Sequence, residues 1–244
     1  MGRGLLIVNA DDWGGHAEMT DVSLECFRAG SITSVTAMMW MPDTERATEL
    51  ALEAGLPTGL HLNLTQPFEG SSVPPAVRER QLRLTERFQD LSRLRWVYDP
   101  RLTGQVKAVV ADQFERFHEL YGRPPTHVDG HLQAHMALNV LVGAVLPKGI
   151  AIRRARTMKE TLPRRIRHAL VKRRYRTTDL MLPIADLFEG GSRHVAERLA
   201  AAREQAVEVM THPSWPEDRE WLASPEWSSA LSGLRLGSFR DLTG

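Results

Sequence analysis

Short apolar runs alternate with amphipathic helical patterns from one end of the chain to the other, and this alternation constrains the fold more than any other feature. Strands are expected at 4–10, 32–39, 57–64, 126–131, 149–154, 206–211 and 235–240. Helices are expected near 16–29, 43–54, 103–121, 136–146, 163–175 and 192–204. Gly30, and Gly122 followed by Pro124 and Pro125, read as helix stops. Strands separated by helices build parallel β-α units, and 244 residues suit one α/β barrel domain, so a single domain spanning 1–244 is expected. Residues 66–102 are less regular, with Pro67, Gly70, Pro74 and Pro75 ahead of a charged stretch. Such an insert is either a substrate wall or a surface excursion, and the two readings weigh equally.

The first strand runs into two adjacent carboxylates, Leu5-Leu6-Ile7-Val8-Asn9-Ala10-Asp11-Asp12-Trp13. Apolar neighbours cannot compensate two anions, so a cation is expected there. Gly59-Leu60-His61-Leu62-Asn63-Leu64-Thr65 and Thr126-His127-Val128-Asp129-Gly130-His131 offer partners. Alternation along a strand puts His127, Asp129 and His131 on one side, and likewise His61, Asn63 and Thr65. A mixed carboxylate and imidazole set suits zinc, manganese, nickel or cobalt, and magnesium less readily. Three protein ligands would leave positions open for water and substrate. Taken singly, each residue has a plainer reading, a hydrogen-bonded core histidine or a strand-ending turn. Three polar interruptions, each at an apolar strand or its end, favour a divalent metal site. Alternation alone does not choose between His127 and His131.

Composition excludes some classes. No apolar stretch approaches the roughly 20 residues of a membrane span, and the first thirty residues do not read as a signal peptide. A single cysteine, Cys26 in a helical pattern, rules out an internal disulfide and fits a cytoplasmic location; it is assigned to the core. The net charge of +1 conceals a basic segment at 151–176, with eleven Lys or Arg against one acid. Apolar residues recur at four-residue spacing from Leu162 through Ile166 to Leu170, and Ile166 and Leu170 would pack this amphipathic helix on the barrel, with Arg164, Arg165, Arg167, Lys172, Arg173 and Arg174 on its other faces. A sharper reading is attraction of an anionic substrate or an anionic membrane surface. Nucleic acid binding ranks third, because the rest of the chain is acidic and no groove-reading motif occurs. Trp215, Trp221 and Trp227 would line a cleft or pack.

Four ordered motifs carry a resemblance. They are Asn9-Ala10-Asp11-Asp12-Trp13-Gly14, Gly59 to Thr65, Thr126 to His131 with His135-Met136, and Val209-Met210-Thr211-His212-Pro213. In order and spacing the chain resembles the YdjC-like carbohydrate deacetylases, the group with the chitooligosaccharide and hopanoid-associated deacetylases, from Leu5 to Leu242. The resemblance implies a distorted (β/α) TIM-like barrel that removes an N-acetyl group from an amino sugar with one divalent ion, zinc first. Asp12, His61 and His131 would be the ligands, and Asp11 the general base. His212 would act as acid or oxyanion partner. His127, Asp129, Asn63 and Trp13 would support the ligands from behind or touch substrate. The partner would be an N-acetylated sugar, glycolipid or glycosylated natural product, and a homodimer is compatible. The chain departs from the family where Leu132-Gln133-Ala134 replaces a histidine-rich run, at Trp13 in place of Phe, and in a shortened segment after His212. These departures bear on substrate identity. A metal-dependent hydrolase of another amide or a phosphoester is the alternative on the same barrel.

Overall fold

The computed structural model describes residues 4–88, 91–94, 96–143, 145–155, 162–191 and 194–242. Six parallel strands form one sheet: β1 (Leu5–Trp13), β2 (Ser34–Ala37), β3 (Thr58–Leu62), β4 (Val128–Gly130), β5 (Leu180–Pro183) and β6 (Ala206–Thr211). They lie in the order β4-β3-β2-β1-β6-β5. The sheet curls, and the gap between its edges is spanned by isolated bridges. Ile152 pairs with Val128 of β4, while Ala151 pairs with Arg176, four residues before β5. The result is a distorted barrel, closed on one side by two bridges instead of a ladder.

Alternation along the strands sorts the side chains. On β1, Leu6, Val8 and Ala10 join the large apolar layer beneath the helices. Leu5 and Ile7 point the other way and join Ala151, Phe239 and Leu242 in a small apolar plug inside the barrel. Above that plug the interior becomes polar, and Asn9, Thr36, His61, Asp129, Arg153 and Glu208 are all buried there.

Helices α1 (Ala17–Arg28), α2 (Thr44–Glu53), α3 (Pro75–Phe88), α4 (Leu91–Leu94), α5 (Thr103–Tyr121), α6 (Leu138–Leu141), α7 (Leu162–Arg174), α8 (Ile184–Phe188), α9 (Val195–Leu199), α10 (Pro216–Ala223) and α11 (Pro225–Leu231) surround the sheet. Gly122 stops α5 as expected, with φ of 63° and its N–H on the His118 carbonyl.

Several expectations are corrected. Residues 66–102 are not a plain loop: α3 starts at Pro75 and turns Gln81, Leu84, Thr85 and Phe88 inward at helical spacing. The expected strand at 149–154 makes only the two bridges, and that at 235–240 makes one bridge, Leu6 with Leu236, before a 3-10 turn. β6 pairs one side of β1 from Leu5 onward and β2 takes the other from Asn9, which leaves 235–240 only the short stretch around Leu6 to join. The helix expected over 136–146 shrinks to α6, and that over 192–204 to α9 followed by a 3-10 turn. α3, α4, β5, α8, α10 and α11 have no counterpart among the expected elements.

In the basic segment, Arg156 and Lys159 lie outside the described residues, as do the side chains of Arg164, Arg165, Arg167 and Leu170. Ile166, expected to anchor α7, is exposed instead. Cys26 is half-buried against the core, which pushes its thiol pKa up. Among the described residues no helix is long and apolar enough to cross a membrane.

Candidate metal and catalytic centre

The two adjacent acids of β1 have different fates because the strand is irregular between them. Register against β2 shifts between Ala10 and Trp13, and Asp12 sits at a φ of 63°. Asp11 continues the inward alternation of Leu5, Ile7 and Asn9, whereas Asp12 is swung to the cavity at the strand ends.

Asp11 is gripped by Arg153. Its two oxygens accept from the Arg153 Nη atoms, each at 2.6 Å, and Oδ1 also accepts from Asn9 Nδ2 at 3.1 Å. Burial works to raise the Asp11 pKa, yet the Arg153 charge outweighs it and the net direction is down. The same guanidinium lies 2.9 Å from Asp129 Oδ2 and donates through Nε to Glu208 at 2.7 Å. One cation therefore serves three buried carboxylates. Glu208 is the least compensated: its Oε2 has no hydrogen-bond partner among the described residues, and burial holds its pKa up at about 7 against the pull of Arg153.

Asp129 also accepts from Thr36 Oγ1 at 3.0 Å and contacts His61 Nδ1 at 2.8 Å. Burial opposes its ionisation, but Arg153 and His61 carry the Asp129 pKa well below the carboxylate range. An ionised carboxylate only accepts, so His61 Nδ1 must carry the proton. That leaves His61 Nε2 as a lone pair, and it points at Asp12 Oδ1 3.2 Å away. Asp12 Oδ1 is buried and has no hydrogen-bond partner among the described residues. Two acceptors facing each other at that distance require a cation between them, a proton or a metal. Without a metal the proton wins: burial would lower the His61 pKa, but Asp129 raises it to about 9.

His131 completes the set. Thr65 Oγ1 engages its Nδ1 at 2.6 Å, so Nε2 is the atom left for a ligand. Its ring lies 6.2 Å from the His61 ring and nearly edge-on to it. Burial, then the charge of His61, lowers the His131 pKa, which keeps the imidazole neutral and able to coordinate. His212 Nε2 lies 3.9 Å from the other Asp12 oxygen, and the His212 ring stacks on Trp215 at 4.0 Å. Asp218 fixes the backbone there by accepting from the His212 N–H at 2.6 Å and the Thr211 hydroxyl at 2.9 Å.

A cavity of about 320 Å³ opens onto these groups, lined by Asp11, Asp12, His61, His131, Arg153 and His212 and walled by Leu132, Gln133, Met181, Met210 and Trp215. Leu132 and Gln133 both adopt left-handed backbone, at φ of 50° and 59°. Non-glycine residues held there cost on the order of 1–3 kcal/mol each, a strain that clusters at functional sites.

Asp11, His61 and Asp129 also present donor atoms within 4.8 Å of one another. That grouping suits a metal less well, because Arg153 occupies both acids and Asp129 holds the His61 proton. The open donors are Asp12, His61 Nε2 and His131, the set the resemblance implies, and their oxygen and nitrogen chemistry fits a divalent transition metal.

Three supporting residues are corrected. His127 stacks on Phe239 at 3.7 Å and contacts Thr126 Oγ1, deep in the barrel above the apolar plug, where burial lowers its pKa to about 3. Trp13 is fully buried and donates to the Ala47 carbonyl, so it cannot touch substrate. Asn63 shapes the turn after β3, where its Oδ1 accepts from the N–H groups of Thr65 and Gln66. Asp129 alone of the four backs a ligand. Sequence reasoning missed Arg153, counted there as surface charge, and Glu208, an acid inside the apolar run Ala206–Thr211. Of the three tryptophans, only Trp215 reaches the cavity; Trp221 stacks on Phe188 and Trp227 is core.

A family model described as YdjC-like protein matches residues 5–233. A chitooligosaccharide deacetylase of Enterobacter sp. (strain 638) is 31% identical, with 98% of this chain and 99% of that protein aligned. One from Yersinia pestis bv. Antiqua (strain Angola) is also 31% identical, over 97% and 98%. Among solved structures, a protein from Enterococcus faecalis V583, provisionally named for cellobiose-phosphate cleavage, superposes with a TM-score of 0.72 at 22% identity, covering 99% of both chains. The last likeness is one of fold.

Proposed function

This chain belongs to the YdjC-like family, and on that premise we propose that it removes N-acetyl groups from an amino-sugar substrate with the help of one divalent ion. The observation that carries the reading is the buried, partnerless Asp12 Oδ1 facing His61 Nε2 at 3.2 Å on a cavity floor shared with His131. The full-length likeness to chitooligosaccharide deacetylases supports the substrate class.

Asp12, His61 and His131 would hold the ion, zinc by donor set. Such an ion, when bound, supplies Lewis acidity toward an attacking water and toward the acetyl oxygen. The residues divide the remaining work. Asp129 keeps His61 in the tautomer whose Nε2 faces the cavity. Arg153 keeps Asp11 ionised and immobile, so that its carboxylate can accept the proton of the attacking water. His212, braced by Trp215 and Asp218, would protonate the departing amine. Two adjacent acids thus serve separate ends, one holding the ion and the other the proton.

Acetate release from N-acetylglucosamine and its β-1,4-linked disaccharide, measured before chelation, after it and on return of zinc, tests the reading. Release that stops with chelation and resumes with zinc is expected. Release indifferent to chelator, or none from a metal-loaded protein, overturns it.

A further inference from the structure

The catalytic groups account for the floor of the cavity but not for its mouth. Trp215 is 56% exposed and Leu132 is 61% exposed, yet both line the same cavity as the candidate ligands. Apolar side chains of this size are seldom left in solvent beside a polar site unless something covers them. Trp215 is not idle packing, because one face of its indole is already stacked parallel on His212, at an angle of 10°. The other face is a flat apolar platform at the rim. Leu132 is held there by two consecutive left-handed residues, a conformation the chain adopts at a cost.

Charge narrows what can lie on that platform. Arg153 is the one arginine or lysine among the described residues lining the cavity, and it is buried and committed to Asp11, Asp129 and Glu208. Among the described residues lining the cavity, an anionic extension such as a diphosphate would meet Asp12 and no uncommitted arginine or lysine. Size narrows it further. A volume near 320 Å³ is at the lower end of small-molecule sites, so the cavity takes one sugar residue and the rest of a longer substrate must leave over the rim.

Resting on the deacetylase reading above, we propose that Trp215 and Leu132 form an adjoining subsite that binds the neighbouring, uncharged pyranose ring of an oligosaccharide, the C–H face of that ring lying on the exposed indole. A flat rigid face matches a flat ring, and both partners combine an apolar face with polar edges that stay wet. Trp215 then has two tasks, bracing His212 on one side and reading substrate length on the other.

The test compares N-acetylglucosamine, its β-1,4-linked disaccharide and its octyl β-glycoside on the metal-loaded protein. Two quantities are read: affinity by titration calorimetry, and kcat and KM from acetate release. The disaccharide should bind about tenfold more tightly than the monosaccharide, and Trp215→Ala should erase that ratio. Because Trp215→Ala also disturbs His212, its fall in kcat would touch every substrate, whereas the ratio of affinities isolates the subsite. Leu132→Asn, which tolerates left-handed backbone, should narrow the same ratio of affinities. Equal affinity for one ring and two in the native protein overturns the proposal, as does an octyl glycoside that gains as much as the disaccharide. The two readings fail separately. Absence of acetate release with a Trp215-dependent preference for two rings would sink the chemistry and keep the subsite. Brisk release with no such preference would do the reverse.

Discussion

Replacing Arg153 by methionine should be among the most damaging single changes available to this chain, and the damage should depend on pH in a defined direction. Methionine keeps much of the apolar stem and deletes the charge, leaving Asp11, Asp129 and Glu208 buried, with relative exposures of 6%, 0% and 0%, and only His61, beside Asp129, as a countercharge. Removing one partner of a buried ion pair costs about 3–5 kcal/mol. Whole domains are stable by only about 5–15 kcal/mol, so this one loss takes a large part of the total. The sign of the pH effect follows from the carboxylates. Glu208 already has a folded pKa of about 7, above its ordinary value of 4.5, so between those values the folded state binds the extra proton and stability falls as pH rises. Without Arg153, burial acts on Asp11 and Asp129 against the weaker pull of His61 and lifts them in the same sense. Arg153→Met should therefore be least stable near about pH 8.5 and recover by at least about 1.4 kcal/mol near about pH 5.5, one pKa unit's worth. Urea unfolding followed by far-ultraviolet circular dichroism at both pH values measures this. Adding Glu208→Gln to the variant should return part of the loss at the higher pH. Stability within about 1 kcal/mol of the native protein at both pH values would show that Arg153 is not the countercharge of the three acids.

Other outcomes follow from the same geometry. Because His61 must shed a proton held to about 9 before Nε2 can coordinate, metal affinity should rise with pH by up to about tenfold per unit through neutrality and level off near that value; competition titrations with a chelating dye would detect a flat profile if the reasoning is wrong. His131→Ala and Asp12→Ala should each lower metal content as well as turnover, and full occupancy by elemental analysis in either variant removes that residue from the ligand set. Asp11→Asn should keep the metal and lower turnover by a factor on the order of 10² or more, so near-native turnover would move the base elsewhere. Gly59→Ala should destabilise the fold by about 1–3 kcal/mol through overpacking. A Cβ there would lie 2.5 Å from the His127 ring, and an unchanged melting temperature would mean that the ring gives way freely.

The features most legible in the sequence were those written in local pattern. Alternating strands and helices announced a parallel α/β barrel, and the polar residues ending β1 and β3 announced a site. Asp12, His61, His131 and His212 come together around one cavity. What pattern could not convey was tertiary. The bulge that separates Asp11 from Asp12 is invisible in a run of residues that all favour extended structure. His127 and Asp129 share a strand face, yet one meets Phe239 and the other His61, because height along the barrel axis decides the partner. Arg153 was obscured by company, ten further basic residues in its segment, although its position at the end of Gly149-Ile150-Ala151-Ile152 was the available signal. Glu208 offered a similar clue, an acid between Val207 and Val209 in a strand with no polar alternation to excuse it. β5 has only four residues and ends in proline, too short to rise above background.

The two bridges that close the barrel have a consequence for how the molecule comes into being. The segment carrying Arg153 is tied to the sheet by isolated pairs, and the guanidinium finds its acids 142 residues back along the chain and 55 residues ahead. Contacts so distant in sequence are made late, after shorter loops have closed. A chain with β1, β2, β3 and β4 already laddered would hold Asp11 and Asp129 without Arg153 until the segment arrives. Ring closure and the neutralisation of Asp11 are then a single event, because the guanidinium that pairs with it arrives only with that segment.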